Sequence, residues 1–443
     1  MRRYIYIIIG IVVVAAIAIL VLFVIKNDST AAPAGTTAST TGSLPTVGSQ
    51  GGNSSGTPSG GTAAGVGTLG LPTVNGSSTA SPTSGTMTVQ SFGVLSSDPV
   101  LDYFIDPQNN ITAVEPTGAV ITISNGQTAT INSSTIDNII SASFSYDGKK
   151  ILVSYGNPVS PQSGLFDVAT NRWTTLPQGM LSPQWSPSAN YQIAYFVTAN
   201  NGKLALATID ASNLKASPST ITTINADDLT LAWPTKTEFI FSDKPTLQNA
   251  GSIWAYNSAT GALASIAYEN PGAEGIWSHD AAIPYGLVFF TQGNTLQLQA
   301  VSGNLPTQPL SLLTLPSKCA FNPEQMPITP SSTVIAATTT ASKSNKKVAA
   351  APVATSTPYL ALYCGIPRSS SGFSSAHLPD DYEMNSLFTS DDVYKINTAT
   401  GAEQTLWNDQ TQNVDASNVK FFNDALFFVN RYDRKLYGLT FVN

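Results

Sequence analysis

One short pattern returns along most of this chain. A strand closes on an aromatic residue, a tight polar turn follows, and a second, almost wholly apolar strand comes next. It reads ASFSYDGKKILVSY from Ala142, PQWSPSANYQIAYF from Pro183, LAWPTKTEFIFSD from Leu231, GIWSHDAAIPYGLVFF from Gly275 and VKFFNDALFFVN from Val419. A further copy, CAFNPEQ from Cys319, is interrupted by a polar insertion before YLALYC. The lead aromatics are Phe144, Trp185, Trp233, Trp277, Phe321 and Phe421. They stand 41 to 48 residues apart until the last gap of 100. A repeat of that length marks an array of one supersecondary unit, because a single unit cannot bury its own apolar surface.

A second unit alternates with the first. It reads EPTGAV at Glu115, DVATNR at Asp167, NSATGA at Asn257 and NTATGA at Asn397, each between alternating apolar residues. Gly118, Asn171, Gly261 and Gly401 take the turn position that needs a positive φ, which glycine and asparagine tolerate best. Each repeat therefore holds two hairpins, or four strands. No long stretch of period 3.6 follows residue 26, so the class is all-β. Four strands per 40–50 residues, repeated radially, make a β-propeller.

Blades are expected to start near Leu95, Ser141, Pro183, Leu229, Gly275, Lys318 and Asn418, which makes seven four-stranded blades, with six or eight as alternatives. The last copy has room for only three strands. Residues 87–94 are the candidate fourth, closing the ring by pairing the N- and C-terminal strands and covering an edge that would otherwise invite aggregation. The six lead aromatics are read as wedges packed between neighbouring blades.

The stretches PQWSPSANYQIAYF and SFSYDGKKILVSY resemble the WD40-like repeats of the TolB type, whose hallmark is W-S-P-D-G followed by an I-A-Y or I-A-F strand. The other copies depart from it. The resemblance spans most of 87–443 and implies a scaffold without any particular activity.

Ahead of the propeller, residues 4–25 carry no charge. As a helix they would reach roughly 33 Å, enough to cross a bilayer core. Arg2 and Arg3 precede them, while Lys26 and Asp28 nearly cancel, so the N-terminus is expected in the cytoplasm and the remainder outside. A cleaved signal peptide is the competing reading, although its apolar region would be shorter. Residues 27–85 are Ser, Thr, Gly, Pro and Ala with almost no charge, a composition that cannot bury enough apolar surface to fold. The expected organisation is a transmembrane anchor at 1–26, a disordered stalk at 27–85 and a propeller at 86–443.

The sixth repeat carries two insertions. Residues 324–358 read as a disordered loop, in which Lys343, Lys346 and Lys347 form a solvated face. Residues 365–390 read as an ordered loop whose Tyr382, Met384, Leu387 and Phe388 pack on the blade. Loops on a rigid scaffold commonly carry binding, which makes Asp380, Asp381, Tyr382 and Glu383 the candidate interaction residues. With Asp391 and Asp392 the segment holds five carboxylates, but their spacing does not match an EF-hand, and no metal site is assigned. Cys319 and Cys364, the two cysteines of the chain, fall on neighbouring strands. They are candidates for a disulfide, in keeping with an oxidising compartment, with two separate buried thiols as the alternative.

Signatures of chemistry are sparse. Residues 86–443 contain no G-x-S-x-G, H-E-x-x-H or Walker motif. His279 sits at a turn and His377 in the second insertion, neither with an obvious partner. A formal charge of −7 has the wrong sign for nucleic acid. No cofactor is implied. The expected function is a membrane-tethered, extracytoplasmic binding or scaffold module for a protein, peptide or glycan of the cell envelope, and not an enzyme. The alternative is a glycan-active enzyme using axial carboxylates such as Asp102, Asp106 or Asp280.

Overall fold

A computed structural model describes residues 87–442, apart from 125, 189, 200–201, 245, 279–284, 293–294, 303–304, 326–357 and 399. The expected anchor at 1–26 and stalk at 27–85 lie outside the described residues, as does most of the 324–358 insertion. No helix among the described residues is long and apolar enough to cross a membrane.

The described residues form seven four-stranded antiparallel sheets. In chain order they occupy 102–132, 139–175, 181–224, 229–271, 274–310, 319–407 and 416–442. Six of them use four consecutive strands. The seventh takes three strands from the C-terminus, and its outermost position is filled by Thr88–Val94, which pairs antiparallel with Leu436–Val442. The missing strand of the last repeat thus comes from the other end of the folded region.

Packing arranges the sheets in a ring. The second strand of each sheet is apolar on both faces because both faces are covered. In the third sheet, Ile193 and Tyr195 pack toward Leu152 and Leu165 of the second sheet, while Ala194 and Phe196 pack toward Leu231 and Phe239 of the fourth. The same alternation joins the first sheet to the second through Val114 and Val153. It joins the fourth to the fifth through Ile253 and Val288, the fifth to the sixth through Phe289 and Leu362, and the sixth to the seventh through Tyr363 and Phe428. A last cluster places Phe427 and Leu436 of the seventh sheet against Tyr103 and Ile121 of the first. This cyclic packing of radial sheets is an all-β propeller.

The lead aromatics sit in these junctions. Trp185 lies in the cluster between the second and third sheets, and its indole N–H donates across the junction to the Ser143 carbonyl at 3.1 Å. Trp233 is buried between the third and fourth sheets, stacked on Phe239 at 4.9 Å. Phe421 stacks on Tyr363 of the sixth sheet at 3.9 Å. Phe144, Trp277 and Phe321 pack against the clusters joining their own sheet to the one before it. Gly118, Asn171, Gly261 and Gly401 all have positive φ, as the second-hairpin turns require.

Candidate interaction surface

The 365–390 insertion leaves the sixth sheet between its neighbouring strands Pro358–Pro367 and Asp391–Asn397. This is a connection between second and third strands. In an antiparallel sheet it lies at the same end as the links between consecutive sheets, opposite the first hairpin turns. The insertion folds as two short helices, α1 (Ser370–Ser375) and α2 (Asp380–Glu383). Phe373, Leu378 and Tyr382 point inward and join the cluster between the fifth and sixth sheets. The apolar residues of this insertion thus have the role usual for a core, and they turn it into a cap on one end of the propeller.

A buried ionic quartet holds the cap down. Lys318, from the link into the sixth sheet, is fully buried with its Nζ 2.7 Å from Asp391 Oδ2 and 2.5 Å from Asp415 Oδ1. Asp415 Oδ2 also meets Arg431 Nη1 at 2.8 Å. Two cations face two carboxylates, so the group is neutral as a whole. Burial alone would lower the Lys318 pKa, but the charges of Asp391 and Asp415 outweigh it and hold the ammonium above its ordinary value. Burial pushes Asp391 up, against the pull of Lys318. The remaining hydrogen-bonding capacity is satisfied. Lys318 also donates to Thr389 Oγ1 at 2.8 Å, the Thr389 amide donates to Asp415 Oδ2 at 3.1 Å, and the Ala416 amide donates to Asp391 Oδ2 at 2.9 Å.

Arg431 connects this quartet to the backbone of the cap. It donates to the carbonyls of Tyr382 at 2.5 Å and Leu387 at 3.1 Å, and to Asn385 Oδ1 at 2.9 Å. Its guanidinium lies 3.6 Å from the centre of the Tyr382 ring and 4.8 Å from that of Phe388. Such stacking suits a planar, weakly hydrated cation.

The candidate interaction residues separate under this geometry. Tyr382 is 5% exposed and belongs to the anchor, its hydroxyl 3.2 Å from Asp415 Oδ1. It is therefore removed from the outward-facing set, because burial against the propeller offers its ring more than solvent does. Asp380 accepts from the Leu247 amide at 3.3 Å, tying the cap to the fourth sheet. Asp381 closes its own turn, accepting from the His377 amide at 2.7 Å and lying 3.5 Å from the His377 ring nitrogen. Glu383 is exposed. Met384 and Phe388, expected to pack on the blade, point outward instead at 69% and 42% exposure, while Leu387 is partly buried. Phe388 stacks on Tyr432 of the seventh sheet at 5.4 Å, and Tyr432 is itself 47% exposed. The cap thus exposes Met384, and Phe388 stacked on Tyr432.

The five carboxylates of the segment do not converge. Asp391 serves Lys318, Asp392 pairs with Arg368 at 2.6 Å, Asp380 reaches the Leu247 amide of the fourth sheet and Asp381 holds its own turn. The proposed axial carboxylates are committed as well. Asp102 lies 2.7 Å from Lys420 Nζ and accepts from Asn418 Nδ2 at 2.8 Å. Asp106 accepts from the amides of Gln108 and Asn110 in its own turn. Asp280 and His279 lie outside the described residues. Cys319 and Cys364 are paired opposite each other on adjacent strands and are joined by a disulfide.

Sequence reasoning missed Lys318, Asp415 and Arg431. The one signal was Lys318 itself, a single cation in the otherwise uncharged LTLPSKCAF at the threshold of a buried strand.

The fold places the chain among β-propeller proteins. No protein-family model matches the sequence, and no curated protein matches it. Among solved structures, the chain is similar to TolB from Acinetobacter baumannii at 14% identity, covering 70% of this chain and 63% of that one, with a TM-score of 0.38. It is also similar to the β-propeller domain of the Trilobed protease from Pyrococcus furiosus at 8% identity, covering 77% and 95%, with a TM-score of 0.45. The tricorn protease matches at 10% identity over 82% of this chain and 34% of its own, with a TM-score of 0.41.

Proposed function

We propose that this protein is a membrane-tethered, extracytoplasmic propeller of seven blades that binds a protein or peptide partner of the cell envelope through its cap, and that it is not an enzyme. The tether and the compartment rest on the uncharged run 4–25 and its flanking charges. The observation that carries the binding role is the cap itself. A buried quartet fixes an insertion of the sixth sheet against the ring, and the large apolar side chains that the insertion leaves in solvent are Met384 and Phe388, the latter stacked on the exposed Tyr432. Apolar and aromatic side chains on a rigid support are the usual anchors of a protein interface, because little ordering entropy remains to be lost on binding. A non-enzymatic role is supported by Asp102 and Asp106, whose oxygens are engaged by Lys420, Asn418 and local amides.

The test is crosslinking in intact cells followed by mass spectrometry, with the full chain as bait. A reproducible envelope protein linked near 381–388, and lost in the Met384→Asp, Phe388→Ser variant, is the expected result. Links that persist unchanged in that variant would remove the cap from the binding role.

A further inference from the structure

The opposite end of the propeller carries a feature of different chemistry. Between the first hairpin turns of the third and fourth sheets lies a groove of about 390 Å³, lined by Ser186, Ser188, Asn190, Gln192, Trp233 and Lys236. That volume is within the range of small-ligand sites. Its lining is two hydroxyls, two carboxamides and one ammonium around a single indole.

The walls are fixed before any ligand arrives. Trp233 is 4% exposed and stacked on Phe239. Ser186 is buried, with its Oγ 2.9 Å from Ser188 Oγ and accepting from the Ser188 amide at 3.2 Å. The turn that carries Asn190 and Gln192 is pinned from the other side. Tyr191, between them, has a φ of 48° and donates its hydroxyl to Asp147 of the second sheet at 2.6 Å. A non-glycine residue held at positive φ needs such support, and it orients its neighbours.

Part of what the groove presents is unspent. Among the described residues, the Lys236 ammonium, the Gln192 carboxamide and the Asn190 Nδ2 have no hydrogen-bond partner. Carboxamides and hydroxyls both donate and accept, which matches the vicinal hydroxyls of a sugar. A lone ammonium matches one carboxylate; a multiply charged phosphate would ask for more cations. The lining offers no apolar wall beyond the indole, which disfavours a lipid or an aromatic ligand.

We propose that this groove binds an oligosaccharide bearing a carboxylate, of the uronic-acid type. The inference does not rest on the cap, which lies at the other end of the propeller.

The experiment is ligand-observed saturation-transfer NMR on the full chain in nanodiscs. The probes are trigalacturonate, its neutral counterpart galactotriose, and an acidic tetrapeptide. Trigalacturonate is expected to bind saturably with a Kd on the order of 1 mM, and galactotriose roughly fivefold more weakly, a difference of about 1 kcal/mol. Lys236→Ala abolishes that preference, while Asn190→Ala with Gln192→Ala weakens both sugars about tenfold, or about 1.4 kcal/mol. Lys236 and Asn190 are exposed, so an unchanged melting temperature serves as the folding control. Met384→Asp leaves sugar binding intact, which separates this site from the cap. The proposal is overturned by no saturable sugar signal up to about 10 mM, by equal affinity for the two sugars, by preference for the tetrapeptide, or by variants that bind as the parent does.

Discussion

Lys318 and Asp391 lie 2.7 Å apart with both side chains fully buried, although 73 residues and two insertions separate them in the chain. One stands just before the first strand of the sixth sheet and the other opens its third. Their contact, shared with Asp415 and Arg431, sets where the cap sits.

Removing the cation exposes the cost of this arrangement. Lys318→Ala leaves Asp391 and Asp415 buried with only Arg431 nearby. Breaking a buried ion pair from one side costs about 3–5 kcal/mol, because the abandoned charge stays desolvated. Chemical denaturation should show a loss of that order. Limited proteolysis should open new cuts within 365–390. Lys318→Met with Asp391→Leu is expected to recover part of the stability.

The disulfide closes a loop of 45 residues that contains the first insertion. On the chain-entropy model its loss costs about 4 kcal/mol. Melting the protein with and without reductant, beside the Cys319→Ser, Cys364→Ser variant, measures this. The reduced protein and the variant should melt at the same lowered temperature.

Glu274, on the first strand of the fifth sheet, has its pKa pushed up to about 7 by burial first and then by the Glu383 carboxylate of the cap, against hydrogen bonds from Ser317. In the unfolded chain a glutamate titrates near 4.3. Between those values the folded protein binds more protons than the unfolded one, so this group makes stability fall as pH rises through the window. Glu274 keeps partial solvent contact, which limits the size of the effect. Glu274→Gln should therefore raise the melting temperature at pH 8 relative to the parent and leave it little changed at pH 5. A parent and variant with parallel pH profiles would contradict this.

Gly286 is where the Trp277 ring rests. A Cβ built there would stand 2.1 Å from the ring, well inside contact distance. Gly286→Ala should displace the wedge between the fourth and fifth sheets and destabilise by about 1–3 kcal/mol, the usual cost of overpacking. Denaturation midpoints and near-UV circular dichroism of the tryptophans would register it.

Much of the fold was legible in the residues because a propeller is built from local units. The aromatic, the turn and the apolar strand lie within about fifteen residues of one another, so Trp185 and the IAYF strand declare their hairpin without reference to the rest of the chain. The positive-φ turn residues Gly118, Asn171, Gly261 and Gly401 are visible for the same reason. The pairing of Thr88–Val94 with the C-terminal strand was also accessible, since a last repeat of three strands leaves a place for a fourth. The cap was not. Tyr382, Met384 and Phe388 are all large and apolar in part, and nothing in their spacing says that the first is buried and the other two face solvent.

Local periodicity and turn chemistry thus determined the strands, the repeat and the wedge positions, because those depend on residues close together in the chain. Tertiary structure alone decided which charges meet. Lys318, Asp391, Asp415 and Arg431 come from separate links and strands. Their desolvation is tolerable only once the sixth and seventh sheets pack side by side and link them in one chain of ion pairs.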